Sequence, residues 1–487
     1  MSSFNIGLPD LLLVSPMIVL FLASLIPITI KVMRGNSEQS STATLTQGIG
    51  GIIAAIILLV LVSGSGSTAF SKALVFDGVT TWMGIVALFA SGAALLLMHD
   101  NKATNGDQFS ELVFLTLSST IGMLILASAV DLLMVFVGLE TMSLALYLMI
   151  GMSHEQRLSK EAAIKYFVLG SFASAIFLYG IAFMFGTVGS TYIPEIIAAT
   201  GQLISSSRMF IFGMTMLTLG FCFKVSIVPF HAWTPDVYQG APTPHSAFMA
   251  TAVKTVSFAA FLRLISTKSL VGSENLFDFL QWLAVLTMVL GNVAALLQNN
   301  FKRMLAYSSI AHSGYLLVGI ITTGVSEKMS FGATGVIFYL VAYCLMTMGA
   351  FAIVCLMERT EGHSLSIEDM AGFGKNHPAM AFCLTLFLLS LAGVPPLIGF
   401  FGKFYLFTAA IGEGLIWLAL WGVLNSVISV YYYLRPIVVM YMKDGEAMEA
   451  AGSMNPTRIA IFSCSILVVV FGLFSGPIFT LIEKALL

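Results

Sequence analysis

The chain has 487 residues, is 58% hydrophobic and only 9% charged, and carries a formal net charge of −2. No soluble domain of this size can hide so much apolar surface, so composition excludes a water-soluble enzyme and predicts an all-α polytopic membrane protein in contact with a lipid bilayer. The near-neutral charge argues against nucleic acid as a partner.

Apolar segments of about 20 residues recur along the whole sequence. The expected spans are 11–31, 44–63, 79–99, 110–128, 130–150, 162–186, 207–228, 244–266, 276–298, 303–324, 331–357, 379–410, 415–442 and 457–483. That makes about 14 helices. Asp10 precedes the first run and no basic segment leads it, so the run reads as a retained helix and not a cleavable signal. Cys222, Cys344, Cys355, Cys383 and Cys464 all lie in apolar runs without CxxC spacing. They read as packing residues, not as disulfides or metal ligands. No nucleotide-binding glycine loop, haem motif or metal-ligand cluster is present, so no cofactor or metal is expected on this chain.

Two spans are interrupted. Pro229 follows Lys224 in span seven, and Pro395-Pro396 precedes Lys403 in span twelve. Proline removes a backbone N–H where lipid offers no replacement partner. The breaks lie five helices apart. An odd offset gives two inverted five-helix repeats with broken helices 7 and 12. The expected division is 1–105 (helices 1–3), 106–270 (first repeat), 271–445 (second repeat) and 446–487 (last helix). Lys31, Arg34, Lys102, Arg157, Lys160, Lys302, Arg303, Arg359, Lys375, Lys443 and Arg458 fall on one side. Lys72, Arg208, Arg263, Lys268, Lys328 and Lys484 fall on the other. The bias puts the first side in the cytoplasm and both termini outside it.

Glu140, Lys165, Lys224, Lys254, Lys403 and Arg435 remain at membrane depth, with His231 and His312 as further titratable groups. Five such charges facing lipid at ~3 kcal/mol each would cost on the order of 15 kcal/mol, comparable to the stability of a whole domain. They must face the bundle interior, pair, or meet water.

Glu140 reads either as half of a structural ion pair or as a proton-carrying carboxylate, with Lys165 as the expected partner. Lys165 itself reads equally as a lysine snorkelling from a helix end. Lys224 stands beside the carbonyl of Val225, which Pro229 releases, and beside the Ser226 hydroxyl, so water has partners there. Lys254 is mid-helix between Thr251 and Thr255. His231 and His312 read either as hydrogen-bonded packing residues or as proton carriers; serines and tyrosines surround His312 at helical spacings. Lys403, beside Gly399 and Gly402, reads as a functional lysine or a helix-end anchor. Arg435, before Pro436 and after three tyrosines, reads as an interfacial anchor. A chain of titratable groups through a bundle is the signature of proton conduction.

The stretch KVSIVPFHAWTPDVYQGAPTPHSAFMATAVK resembles the proton-translocating, antiporter-like membrane subunits of respiratory complex I. Three more pieces agree: VGLETMSLALY, FKRMLAYSSIAHSGYLLVG and LSLAGVPPLIGFFGKFYLF. The Asp236–Pro244 run, and the lack of a long lateral C-terminal helix, point to the N branch of that family. The resemblance implies fourteen helices and a polar axis along the membrane midplane. It implies proton-transfer roles for Glu140, Lys224, Lys254 and Lys403, with Lys165 and His231 at associated positions. It also implies a NADH:quinone oxidoreductase in a bacterial inner membrane, assembled with other membrane-arm subunits. NADH, FMN, iron–sulfur clusters and quinone would be used elsewhere in that complex. The rival readings are a subunit of a sodium/proton antiporter or membrane-bound hydrogenase, or a non-conducting scaffold.

Overall fold

The computed structural model describes residues 7–34, 40–63, 66–152, 157–265, 274–326, 330–358, 365–445 and 455–486. In chain order the helices are α1 (Leu8–Leu13), α2 (Ser15–Arg34), α3 (Ser41–Val62), α4 (Gly78–Asp100), α5 (Phe109–Ser128), α6 (Leu132–Gly151) and α7 (Arg157–Val188). There follow α8 (Ile193–Ser206), α9 (Arg208–Lys224), α10 (Trp233–Gly240), α11 (Thr243–Leu264), α12 (Glu274–Leu296), α13 (Phe301–Val325) and α14 (Ser330–Met357). The last are α15 (Pro378–Ala392), α16 (Ile398–Gly412), α17 (Ile416–Met442), α18 (Asn455–Leu473) and α19 (Ser475–Leu486). A short antiparallel hairpin, β1 (Ser67–Ala69) and β2 (Leu74–Phe76), pairs Thr68 with Val75 between α3 and α4. The chain is therefore a nearly all-helical, multi-pass membrane protein.

Twelve of these helices are long and apolar enough to cross a membrane. The two remaining expected spans are the interrupted ones. Span seven is α9, ending at Lys224, followed by α10; span twelve is divided into α15 and α16. Helix α8 lies where a loop was expected. Its 14 residues are too short to span, but Ile193, Ile196 and Ile204 form a buried stripe at helical spacing. The last expected span is split into α18 and α19.

Local chemistry explains both breaks. At the first, Ser226 adopts a left-handed backbone (φ +62°), and its Oγ shares a 2.6 Å hydrogen bond with Thr234 Oγ1. At the second, Gly393 takes φ +91°, which costs glycine nothing. The Val394 N–H then returns to the Leu389 carbonyl at 3.0 Å, closing the helix as a Schellman turn. Both breaks contain a cis X–Pro bond, Val228-Pro229 and Pro395-Pro396.

Packing places the charged helices. A Cβ on Gly122 would lie 2.5 Å from the Met142 nitrogen, so α5 and α6 touch backbone to backbone. A Cβ on Gly291 would lie 2.6 Å from the Ala311 nitrogen, so α12 and α13 do the same. Close approach through small residues is how apolar helices gain contact without a hydrophobic drive between them. Helices α11 and α14 are buried along their lengths and form the centre of the bundle. Helices α3, α7 and α17 turn apolar side chains outward, among them Ile57, Phe172 and Val427.

Several charges at the helix ends form ion pairs. Lys31 bonds Glu111 at 2.6 Å, Lys375 bonds Asp444 at 2.5 Å, and Lys443 bonds Glu368 at 2.7 Å. Arg359, Lys268 and Lys328 lie outside the described residues. Two residues counted as loop charges are instead buried. Lys302 donates to the Ala241 carbonyl at 3.0 Å and to Glu358 at 3.2 Å. Arg263 ends α11 in a two-pronged pair with Asp77 at 2.8 and 2.7 Å, and also donates to Thr80 and to the Ala127 carbonyl. Sequence position at a helix end cannot separate a loop cation from one folded back onto a neighbouring helix.

Burial pushes the Asp77 carboxyl up, but the Arg263 guanidinium and the Thr80 hydrogen bonds outweigh it and hold it below the usual carboxylate value. A depressed carboxyl contributes stability that is present above its unfolded pKa and lost as pH falls through its folded value. Arg263→Met should strand the carboxylate and destabilise the fold by about 3 kcal/mol. The measurement is the melting temperature of the purified assembly, and Asp77→Asn in the same background should recover part of the loss. The deficit should shrink as pH falls below the ordinary carboxylate value of about 4 and on through the lower value that Asp77 has in the fold.

Candidate functional site

The site begins at the first break. Lys224 is the last residue of α9, and its side chain is buried. Its Nζ donates to Ser143 Oγ at 2.7 Å and to Tyr166 OH at 3.1 Å, and lies 5.3 Å from the Tyr166 ring centre. Ser143 and Glu140 are three residues apart on α6, so they share one face. Glu140 accepts a hydrogen bond from Ser174 of α7. Glu140, Ser143, Ser174 and Lys224 line one small cavity with about 20 Å³ of room for water centres, enough for roughly one water. Glu140 and Lys224 are close enough for their charges to interact.

The expected Glu140–Lys165 pair does not form. Lys165 bonds Glu161 at 2.8 Å and Asp236 at 2.8 Å, with its side chain 41% exposed. Asp236 is shared with Arg303 of α13 at 2.8 Å. One turn of helix separates Glu161 from Lys165, and the break carries Asp236 back over the same end of α7, so Lys165 has two nearer carboxylates. The lysine that faces Glu140 is Lys224.

The backbone freed by the break is satisfied by side chains. The Val225 carbonyl accepts from Ser313 Oγ at 2.6 Å, and the Val228 N–H donates to Thr287 Oγ1 at 3.0 Å. Trp233 donates its indole N–H to the Phe223 carbonyl at 3.0 Å and stacks on Tyr166 at 4.8 Å. His231 is half-buried beyond the break, and its Nδ1 has no hydrogen-bond partner among the described residues.

Lys254 lies on α11 directly after a π-helical turn, Met249–Val253. Such turns insert an extra residue and re-aim the side chains that follow. Lys254 is buried and donates to the Ser309 carbonyl at 2.7 Å and to the Ser309 hydroxyl. Tyr343 donates to the same hydroxyl at 2.9 Å. One turn along α13, His312 is buried with both ring nitrogens engaged: Nδ1 with Tyr339 OH at 2.5 Å, Nε2 with Tyr433 OH at 3.0 Å. Its ring also contacts Tyr343 and Tyr315, the rings that lie beneath Lys254 and Lys403.

Lys403 closes the row. Its Nζ donates to the Leu391 and Ala392 carbonyls at 2.9 and 3.0 Å and to Ser426 Oγ at 2.9 Å. Those carbonyls end α15, where the break leaves them free, so the lysine caps the negative end of a half-helix. It also sits 5.2 Å from the Tyr315 ring centre. Arg435 stands apart, tying the end of α17 to the Gln298 carbonyl and Asn299.

The structure thus joins Glu140 with Lys224, and Lys254, His312 and Lys403 through shared neighbours. It leaves Lys165, His231 and Arg435 outside that row. The residues missed in sequence are the hydroxyls between the charges: Tyr166, Tyr339, Tyr343 and Tyr433. A usable signal existed, since a tyrosine inside an apolar span must find a partner for its hydroxyl. Among the described residues no group of three or more His, Cys, Asp or Glu could hold a metal ion, and all five cysteines are buried and free of disulfides.

Residues 129–429 match the family described as "NADH:quinone oxidoreductase/Mrp antiporter, TM". NADH-quinone oxidoreductase subunit N of Bdellovibrio bacteriovorus is 66% identical over 485 residues, covering 100% of both chains. The subunit N of Methylobacterium nodulans is 38% identical over 485 residues, covering 98% of each. A chain of respiratory complex I from Thermus thermophilus with bound aureothin superposes with a TM-score of 0.82 at 31% identity, covering 96% of this chain and 98% of that one. A chain of the Mrp complex from Dietzia shares the fold, with a TM-score of 0.79 at 18% identity. The chain belongs to the subunit N family of NADH-quinone oxidoreductases, membrane subunits of a multi-subunit respiratory complex with an antiporter-like domain.

Proposed function

We propose that this subunit translocates protons along the row Glu140–Lys224–Lys254–His312–Lys403, driven by quinone reduction in other subunits of the complex. The observation that carries the reading is the set of partners around the lysines. Lys224, Lys254 and Lys403 are buried, and among the described residues each donates only to neutral oxygens of hydroxyls and carbonyls. Lys254 and Lys403, held that way, can release a proton without stranding a buried counter-charge. Glu140 supplies the opposite charge at one end, and its interaction with Lys224 changes as either group gains or loses a proton. Moving one charge against 100 mV costs ~2.3 kcal/mol. No redox group is expected here, so the drive must come from partners that bind NADH, flavin, iron–sulfur clusters and quinone.

The inverted repeat belongs to the same reading, with α5–α11 as one unit and α12–α17 as the other. Each unit opens with a glycine-tight helix pair, α5–α6 and α12–α13, and each contains one break beside a buried lysine. Lys165 and His231 have lesser, flanking roles. The charge-rich side is cytoplasmic, in a bacterial inner membrane, with both termini on the far side.

Lys224→Met and Lys254→Met should each lower NADH-driven proton uptake into inverted membrane vesicles several-fold, with the assembled complex present at normal amount. Undiminished pumping in assembled variants would overturn the axis. Glu140→Gln should reduce pumping, and adding it to Lys224→Met should cost little more, because the two act as one pair. Sodium-dependent transport by the chain without NADH or quinone would instead favour the sodium/proton antiporter reading.

A further inference from the structure

We propose that His245 is the inner end of a hydrated inlet which opens beside the Lys102–Gln108 loop and delivers protons to Lys254. The inlet rests on the proton-transfer reading above and gives it an uptake site. Three observations carry it.

First, His245 is fully buried in the opening turn of α11, and both ring nitrogens lack a hydrogen-bond partner among the described residues. A buried polar group left unmet costs about 1–3 kcal/mol, so the ring requires a partner. Second, His245 lines a cavity of about 210 Å³, bounded by the loop 102–108, Leu112, Met149 and Met152. That holds several water molecules, which supply the missing partners. Third, polar groups lie along the route from the ring to the axis. His245 precedes Lys254 by nine residues, about 14 Å along one helix. Ser246 donates to the main-chain carbonyl of Tyr238 at 2.8 Å; the hydroxyl of Tyr238, at the other end of that residue, faces Ser309, and Ser309 is the acceptor of Lys254.

The charged groups around the inlet come from several elements. Lys102 and Asp107 stand at its mouth. On the inner side, Lys302 of α13 bonds Glu358 at the end of α14 at 3.2 Å, and Thr243 donates to the other Glu358 oxygen at 2.5 Å. Asp100, at the end of α4, is held by His99 and by the Thr457 N–H. The carboxylates on the inner side are thus already engaged, and the imidazole is the free base at the foot of the cavity. In the uptake step a hydronium O–H breaks, an N–H forms on one ring nitrogen, and a water molecule remains. The opposite nitrogen then gives up its proton to an adjoining water molecule, with the free amine of Lys254 as the final acceptor, which restores the neutral ring and leaves an ammonium. A cation site is disfavoured, because Asp107 is the only carboxylate lining the cavity among the described residues.

The test uses the intact complex. Exchange of the imidazole C2 hydrogen for deuterium, read by mass spectrometry, should be several-fold faster at His245 than at His312, whose two nitrogens are both bonded. His245→Gln should lower NADH-driven proton pumping several-fold at unchanged complex content. Met149→Trp, which narrows the cavity from α6, should lower it as well and serves if the histidine variant fails to assemble. Exchange at His245 as slow as at His312 would overturn the inlet. So would full pumping in assembled His245→Gln, which would leave only a water-filled structural cavity. If His245→Gln pumps normally while Lys254→Met does not, the inlet alone fails; normal pumping in Lys254→Met removes the axis itself.

Discussion

The rest of the structure depends on how the bundle keeps ammonium groups out of lipid without giving each one a carboxylate. Three cations near helix ends are paired with carboxylates. Lys165 has Glu161 and Asp236, Lys302 has Glu358, and Arg263 has Asp77. Cations in the middle are not. Among the described residues Lys254 and Lys403 bond only neutral oxygens, and Lys224 has Glu140 across a small cavity but donates to hydroxyls. A full ion pair fixes both partners, because removing either charge leaves the other buried and uncompensated. Neutral oxygens stabilise an ammonium and still tolerate the amine. The paired cations therefore brace the bundle, while the unpaired ones keep the freedom to change protonation state.

The two breaks solve the same backbone problem in opposite ways, and the difference has consequences for the lysines. At the first, side chains from other helices take the freed groups: Ser313 serves the Val225 carbonyl and Thr287 the Val228 N–H. Lys224 is spared that duty and turns toward Ser143 and Tyr166. At the second, Lys403 itself serves the Leu391 and Ala392 carbonyls. Loss of its proton removes a donor as well as the charge that favours the end of α15. The geometry of the second break is tied to the charge on Lys403. That of the first is buffered from Lys224.

The spans, the breaks and the buried charges were legible because each violates a strong rule: lipid excludes charges and free backbone groups, so any exception in sequence is conspicuous. Pairing was less legible. Lys165 and Lys224 are equally plausible partners for Glu140 by helix position, and only the fold shows Asp236 returning over α7 to claim Lys165. The π-helical turn before Lys254 left no trace, since Met249–Val253 contains neither proline nor glycine. His245 was passed over for a related reason. It follows Pro244 at a helix start, where a histidine normally meets water, and nothing in sequence placed α14 and the 102–108 loop around it.

Hydroxyls join the charges, and their chemistry sets what can pass between them. Tyr343 and Lys254 meet on Ser309; Tyr339 and Tyr433 meet on His312; Ser308 meets Tyr433. A hydroxyl both donates and accepts, so it can hand a proton along by reorienting, without holding a charge of its own. A row of lysines alone would need like charges to sit close together, at a cost that grows as the local dielectric falls. Interposed tyrosines and serines let one charge be present at a time while the connections persist. The imidazole of His312 has a hydroxyl on each side and can take a proton at one nitrogen while releasing one from the other. Such a row has no preferred direction of its own.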